Sequence, residues 1–335
     1  RIAVSTVPVA AKSSEARASG ARGRRIDAIV PIDDLVSAAA SGGMRSRAIA
    51  QGAVAVAGAT SWVTLMCKFN DIVTEQKTLA FFQSQYGSGI GQLDHYWQEV
   101  SYGKINLAGS DAYGWATLPL PRSGYVTTDD NGKTTADLSA LFQDCTAAHD
   151  ANVNFAINGG VQGVNLMFNG DLDGFAWGGS RCATSDGVNK CRSTTCNPPW
   201  SFGNLAPLSH EMGHAYGLPH ANNADNDTDP YDNPWDVMSD AWSNAVGNPT
   251  YGSLPKHINI YSRNRLGWVV DARKLTVTAG SPARSIAIDR ASLAGSANRQ
   301  MLILNYPNQA SRYYTVEVRK RGGNYENRLA GDAVI

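Results

Sequence analysis

Hydrophobic residues recur along the chain with different periods, which predict different secondary structure. Spacings of three and four residues predict helices at 78–100, interrupted at 87–91, and at 136–150 and 207–217. Continuous apolar runs predict buried strands at 62–69 and 163–169. The stretch 171–203 is rich in Gly, Ser and Asn and is predicted to be a loop.

Beyond Trp268 the pattern changes to short alternating or β-branched runs separated by turn residues. The runs are KLTVTA, RSIAID, QMLILNY and YYTVEVRK. They predict a β-rich C-terminal region at 269–335, which follows a segment of mixed strands and helices at 59–268. The chain is therefore predicted to be an α+β protein.

The first 58 residues differ from the rest in composition. They are rich in Ala, Ser, Gly and Arg, contain no aromatic residue, and carry eight basic against four acidic side chains. Such a segment has little with which to build a core. We expect it to be a propeptide or a flexible N-terminal segment.

The balance of charge excludes two classes of partner. The chain has 29 basic and 29 acidic residues, whereas nucleic acids and anionic membranes attract proteins with a basic excess. An uncharged stretch between Arg47 and Lys68 has the length of a membrane span, but Gly, Gln and Thr interrupt it. We expect it to be a flexible lead into a buried strand, and we predict neither a nucleic-acid partner nor a membrane span.

The five cysteines allow two interpretations. Cys182, Cys191 and Cys196 lie close together in the predicted loop, where a disulfide would supply order that a small core cannot. The alternative is a zinc site built from cysteines, although a fourth local ligand is missing. An odd number leaves at least one thiol free, and Cys67, in an apolar run, is predicted to be a buried free thiol. The pairing, including that of Cys145, stays open.

The most informative part of the sequence is the stretch from His210 to His220, which reads HExxHxxGxxH. On a helix, His210 and His214 lie on one face, one turn apart, and can hold one metal ion. Gly217 can adopt a positive φ without a Cβ penalty, which would end the helix and turn the chain back. His220 could then supply a third nitrogen.

Three imidazoles and one open coordination position are typical of a catalytic zinc site rather than a structural one. Zn²⁺ lowers the pKa of a bound water toward ~7, which provides a nucleophile at neutral pH. Glu211 lies roughly 100° around the helix from His210 and is predicted to be the general base and then the general acid. These residues predict hydrolysis of an amide bond.

This motif resembles that of the metzincin zinc endopeptidases. Trp235-Asp236-Val237-Met238-Ser239-Asp240 lies where these enzymes have their Met-turn, so the resemblance implies that Met238 packs beneath the zinc ligands. The wider chain is similar to secreted microbial members of the immune-inhibitor-A and gametolysin groups. The resemblance implies a metzincin-like domain at 59–268, with a mixed twisted sheet, an active-site helix and a cleft, followed by the β-rich extension.

The resemblance also implies further roles. GVNLMFNG would be the edge strand above the cleft, with a plain core strand as the alternative. Members of the immune-inhibitor-A group carry an acidic residue where this chain has His220, which favours the gametolysin-like ligand set. Astacin-like members place a Tyr where this chain has Asp240; Tyr251 and Tyr261 are candidates for an assisting tyrosine.

Two further predictions concern acidic residues. The stretch 222–233 carries four aspartates whose oxygens could bind Ca²⁺, with a solvated turn as the alternative: Asp225, Asp227, Asp229 and Asp232. A carboxylate of residues 1–58 could occupy the fourth zinc position in a latent form, since that segment lacks cysteine; the candidates are Asp27, Asp33 and Asp34.

The sequence thus predicts a secreted, monomeric zinc endopeptidase of the metzincin type, made as a zymogen with disulfide bonds and acting on protein or peptide substrates. Two alternatives stay open. The first is a catalytically silent zinc-containing binding module, against which the complete set of Glu211 and three histidines argues. The second is a zinc hydrolase of non-peptide amides, because the motif does not read the substrate.

Overall fold

The computed structural model describes residues 55–155, 161–223, 229–278, 280–282, 285–306 and 312–335, and two short strands nearer the N-terminus. Its strands are β1 Ala3–Val4, β2 Ile29–Val30, β3 Gly58–Ala59, β4 Trp62–Lys68, β5 Ile105–Asn106, β6 Asp111–Thr117, β7 Val126–Thr128, β8 Thr134–Ala136, β9 Gly163–Phe168, β10 Trp177–Ser185, β11 Val188–Asn197, β12 Val246–Asn248, β13 Gly252–Leu254, β14 Lys274–Val277, β15 Met301–Asn305, β16 Tyr313–Val316, β17 Val318–Arg319 and β18 Ala333–Val334. Its α-helices are α1 Leu79–Gln85, α2 Leu93–Val100, α3 Leu138–Ala148, α4 Pro199–Phe202, α5 Leu205–Ala215 and α6 Ile260–Arg265. Within these described ranges, no helix is long and apolar enough to cross a membrane.

The main sheet has five strands in the order β10–β11–β9–β4–β6. β11, β9, β4 and β6 run parallel, and β10 is antiparallel to β11. The predicted α+β class is confirmed. The prediction that GVNLMFNG forms the edge of the sheet is wrong, because β9 lies between β11 and β4. Its continuous apolar run is buried along its whole length, as expected of a strand covered on both faces.

The sheet separates two hydrophobic cores, because successive side chains of a strand point to opposite faces. Trp62 and Met66 of β4 point into the first core with residues of α1, α2 and α5. Leu65 and Cys67 point into the second core, which α3 covers. The helix that carries the HExxH motif therefore packs on one face of the sheet.

Two disulfides are present. Cys67 pairs with Cys145, which joins β4 to α3 inside the second core, so the prediction that Cys67 is a free thiol is wrong. The pairing depends on the fold, since the two residues are 78 positions apart. Cys182 pairs with Cys191, as the clustering of cysteines predicts, and Cys196 is the buried free cysteine.

The region predicted to be a loop at 171–203 is mostly the hairpin of β10 and β11. The two strands pair from Trp177 opposite Cys196 to Ser185 opposite Val188. Asp186 and Gly187 form the two-residue turn with φ of 51° and 74°. This Asp-Gly pair is a known hairpin signal, but the strands around it are too polar to show a clear hydrophobic pattern.

The C-terminal region contains a three-stranded sheet of β14, β15 and β16 and a small β17–β18 pair. RSIAID was predicted to be a strand, but residues 285–289 form none; only a single bridge joins Arg290 to Val318. Tyr325 enters the first core and packs edge-on against Tyr96 of α2, with ring centroids 5.2 Å apart. The last residues thus pack against the helices that also surround α5.

A cluster of ionisable residues, buried except for the partly exposed Glu99, lies where the C-terminal strands meet α2 and α6; we call it the ion-pair cluster. Its members are Glu99, His257, Glu317, Arg319 and Glu326. Arg319 pairs with Glu326 and, at 3.3 Å, with Glu317. The His257 ring lies between two carboxylates, with Nε2 2.9 Å from Glu99 and Nδ1 3.6 Å from Glu326. The Arg319 guanidinium therefore has two carboxylate partners, and the His257 ring contacts two carboxylates.

Candidate metal centre

The helix α5 is held in the interior. Every residue from Leu205 to Gly213 is buried, and Pro207 lies in the first turn, where no intrahelical N–H bond is needed. The helix ends in a Schellman motif: Gly217 N–H donates to His214 O at 2.8 Å, and Leu218 N–H donates to Gly213 O at 3.0 Å. Gly217 has φ of +90°, as predicted from the motif, and the chain turns back across the helix end.

The three histidines of the motif converge on one point. Their ligand nitrogens all lie within 4.8 Å of one another. His214 Nε2 is 3.0 Å from His210 Nε2 and 3.2 Å from His220 Nε2. His210 is buried, whereas His214 and His220 are partly exposed. Within the described ranges, this is the only group of three or more such side chains close enough to share a metal ion. We call it the histidine site.

Hydrogen bonds to backbone carbonyls fix which nitrogen of each helix histidine carries its proton. His210 Nδ1 is 2.6 Å from Val237 O, and His214 Nδ1 is 2.8 Å from Leu218 O. A carbonyl oxygen only accepts, so Nδ1 is the donor and Nε2 keeps its lone pair. The Nε2 atoms of His210 and His214 thus face each other with no proton between them. Neutral imidazole nitrogens that keep their lone pair are common ligands of Zn²⁺, so His210 and His214 fit a zinc ion.

Burial opposes protonation of these rings. Burial and the neighbouring His214 and His220 lower the pKa of His210 to about 3. Burial and His214 lower the pKa of His220 to about 4, and burial lowers that of His214. The imidazoles are neutral at neutral pH, as metal ligation requires.

Glu211 follows His210 in the chain and is buried on α5. Burial raises its pKa to about 8, and no described residue donates a hydrogen bond to its carboxylate. Gly178 of β10 lies directly against the backbone of Glu211, and a Cβ there would clash with the Glu211 carbonyl. The close approach of β10 to α5 therefore depends on this glycine. The packed strand shields one side of the helical turn that carries Glu211 from water.

Met238 lies against α5 at Gly213. Its side chain is fully buried, and a Cβ on Gly213 would clash with its sulfur. The glycine in the motif thus lets the methionine pack close to the helix. Ala221 N–H donates to Met238 O at 2.9 Å, which ties the Met238 segment to the residue that follows His220.

The tyrosine nearest the histidines is one that sequence reasoning missed. The ring of Tyr231 is centred 5.1 Å from that of His220 and 6.1 Å from that of His210, and it is 46% exposed. Neither predicted tyrosine lies there: Tyr251 is buried and donates to Ser84, and Tyr261 packs against Tyr313. No spacing rule in the sequence identifies Tyr231, because its position depends on the path of the loop after His220.

Of the four aspartates proposed for calcium, the structure describes Asp229 and Asp232. Asp225 and Asp227 lie outside the described residues, as do Asp27, Asp33 and Asp34. Asp229 accepts from Tyr231 N–H at 2.8 Å, and Asp232 accepts from Asn223 N–H at 3.0 Å. These two carboxylates act in local turns, and calcium binding stays a prediction.

Two comparisons with known proteins were negative. The chain matches no family model, and a search of curated proteins finds no similar sequence.

Proposed function

We propose that this protein is a zinc-dependent endopeptidase of the metzincin type. The observation that carries the proposal is the convergence of three imidazoles, two of them with Nε2 fixed as an acceptor; Glu211, the neighbour of His210 in the chain, is buried on the same helix. A structural zinc site would usually use four protein ligands, often thiolates. Here the cysteines are paired with one another or buried elsewhere, which favours a site with an open position.

His210, His214 and His220 would hold the metal. A bound zinc ion supplies a Lewis acid that makes water nucleophilic near neutral pH and polarises a carbonyl. The Glu211 carboxylate would take a proton from the attacking water and deliver it to the nitrogen of the leaving amine. Packing of β10 on α5 keeps Glu211 buried, which raises its pKa, and a bound cation would favour the ionised carboxylate that a general base requires.

The sheet supports a peptide as substrate rather than a small amide. β10 is an edge strand that runs beside α5, and its pairing in the described structure is with β11 on one side. An extended peptide could pair with the outer edge of β10 as an added strand, which is a common mode of peptide recognition. β10 would thus take the role of edge strand above the cleft, which the family resemblance implied for GVNLMFNG.

The remaining features of the proposal concern context. Two disulfides favour an oxidising compartment, so we propose that the protein acts outside the cytosol as a secreted enzyme. Residues 1–58 would be a pro-segment, and calcium a further ligand of the acidic loop.

Cleavage of a denatured protein such as casein tests the function. Glu211→Gln preserves shape but cannot take a proton, so we expect activity to fall about 10²–10⁴-fold while zinc content is unchanged. Glu75→Gln, an exposed glutamate paired with Lys68, is the control and should retain activity.

Other outcomes separate the alternatives. Equal activity of Glu211→Gln and wild type would contradict the role of Glu211. A zinc-loaded protein that cleaves nothing, even after removal of residues 1–58, would indicate a binding module. Hydrolysis of small amides without cleavage of proteins would indicate the non-peptide hydrolase.

A further inference from the structure

One peptide unit connects the ligand His210 to a buried carboxylate. The carbonyl of Val237 accepts the hydrogen bond from His210 Nδ1 at 2.6 Å. The N–H on the other side of the same peptide group belongs to Met238 and donates to Asp236 Oδ1 at 2.8 Å. His210, Val237, Met238 and Asp236 are all at least 96% buried. The imidazole, the peptide and the carboxylate therefore form a continuous hydrogen-bond chain away from water.

The carboxylate at the end of this chain is itself fixed. Asp236 Oδ2 accepts the N–H of Asn259 at 2.9 Å, so each oxygen accepts one backbone N–H. Burial raises the pKa of Asp236, whereas the bond from Met238 and the charge of Arg319 lower it. The hydrogen bonds from Met238 and Asn259, which belong to separate segments, restrict rotation of the Asp236 carboxylate. The fixed carboxylate in turn restricts rotation of the Val237–Met238 peptide, whose carbonyl accepts from His210.

The second helix histidine lacks such support. His214 Nδ1 donates to Leu218 O at 2.8 Å, but the nitrogen of that peptide belongs to Pro219, which has no N–H. No carboxylate can bond that peptide in the same way. The difference marks the Asp236 arrangement as specific to His210 rather than a general feature of the site.

We propose that Asp236 is a positioning residue for the metal: it holds the Val237–Met238 peptide, which orients His210 and strengthens it as a ligand. The inference rests on the proposed metal site but not on the peptidase activity. Partners of metal-ligating histidines commonly change metal affinity by 10–100-fold when they are mutated. Hydrogen-bond chains in a buried setting also polarise one another, which makes the carbonyl a better acceptor.

Asp236→Asn tests the proposal because the amide oxygen can accept only one of the two backbone N–H groups. The NH₂ group faces the other N–H and cannot accept a hydrogen bond from it. Zinc affinity, measured by competition with a chromophoric chelator at a temperature where each variant is folded, should fall by about 10–100-fold. Glu317→Gln is the matched control. Glu317 is also a buried carboxylate that accepts a backbone N–H, from Ile260 at 2.9 Å, but it does not contact the Val237–Met238 peptide.

The two variants separate positioning from loss of stability. We expect both to melt at lower temperature and only Asp236→Asn to lose zinc affinity. Unchanged affinity in Asp236→Asn, or an equal loss in both variants, would overturn the proposal. If wild type cleaves protein and Asp236→Asn keeps its affinity, only this inference fails; if wild type binds no zinc, the proposed function fails with it.

Hydrogen exchange in the wild type supplies a second test that needs no variant to fold. Coupling between two sites is reciprocal, so zinc should protect the bond that Met238 N–H donates by the same factor that this bond adds to zinc affinity. We expect exchange of the Met238 amide to slow by about 10–100-fold on zinc binding, and that of the Ile260 amide to change less. Equal changes at both amides would contradict the proposal.

Discussion

The histidine site and the ion-pair cluster are two groups of mostly buried ionisable residues with opposite electrostatic character. In the ion-pair cluster, burial would raise the pKa of Glu326, but Arg319 and His257 lower it to about 2. In the histidine site, burial and neighbouring imidazoles lower the pKa of His210 to about 3, and burial raises that of Glu211 to about 8.

The difference distinguishes a structural cluster from the proposed metal site. Buried charges that are paired hold segments of the fold together, whereas buried groups that face like partners cost free energy until a ligand satisfies them. Two imidazole nitrogens 3.0 Å apart, both acceptors, are such a case. The comparison therefore predicts that substitutions in the ion-pair cluster affect folding and that those in the histidine site affect binding.

The largest expected effect on stability is that of Arg319→Met. It leaves Glu317 and Glu326 buried without their cationic partner, which should cost about 3–5 kcal/mol in the free energy of unfolding. Denaturant unfolding followed by circular dichroism measures it. Arg321→Met, in the same segment but bonded to the Leu329 carbonyl, is the control and should cost less than about 1 kcal/mol. Equal costs would contradict the structural role of the cluster.

Acid should weaken the ion-pair cluster next. The pKa of Glu326 is lower in the folded protein than its usual 4.5, so the unfolded chain binds more protons at acid pH. Its contribution, on the order of 3 kcal/mol, is complete above pH 4.5 and is lost as the pH falls toward about 2. Unfolding free energies measured across this range should show the loss. Glu326→Gln, although less stable at neutral pH, should show a flatter dependence; an identical slope would rule out this assignment.

The smallest change in intrinsic stability is expected for His220→Ala, because this ring is partly exposed and lies outside the ion-pair cluster. Without metal, the variant should differ from wild type by less than about 1 kcal/mol. Zinc at 100 times its dissociation constant should stabilise wild type by about 2.7 kcal/mol and the variant much less. Thermal melts with and without zinc provide the measurement. Equal stabilisation of both proteins would place the zinc elsewhere.

The parts of the site that depend on local spacing could be predicted from the sequence. A four-residue separation places His210 and His214 on one helix face whatever the rest of the chain does, and Gly217 is a glycine whose φ the turn requires. The apolar run of β4 also predicts a strand, because a strand buried on both faces is mostly apolar and only Thr64 interrupts this one before Lys68.

The parts that depend on tertiary contacts could not. Cys67 meets Cys145 only because β4 and α3 share a core, and Tyr231 reaches the histidines only through the path of a long loop. Asp236 lay within the predicted Met-turn, but its role requires knowledge of which N–H groups face it. The sequence of β10 and β11 is too polar to show the alternating hydrophobic pattern that predicts strands.

The most direct test of the central claim is the zinc content of the purified protein, measured by elemental analysis after dialysis, beside that of His210→Ala. The account predicts one zinc ion per chain in wild type and loss of zinc from the variant, which removes the buried ligand. A wild-type protein without zinc, after incubation with the metal, would contradict the claim. So would a variant that retains a full equivalent.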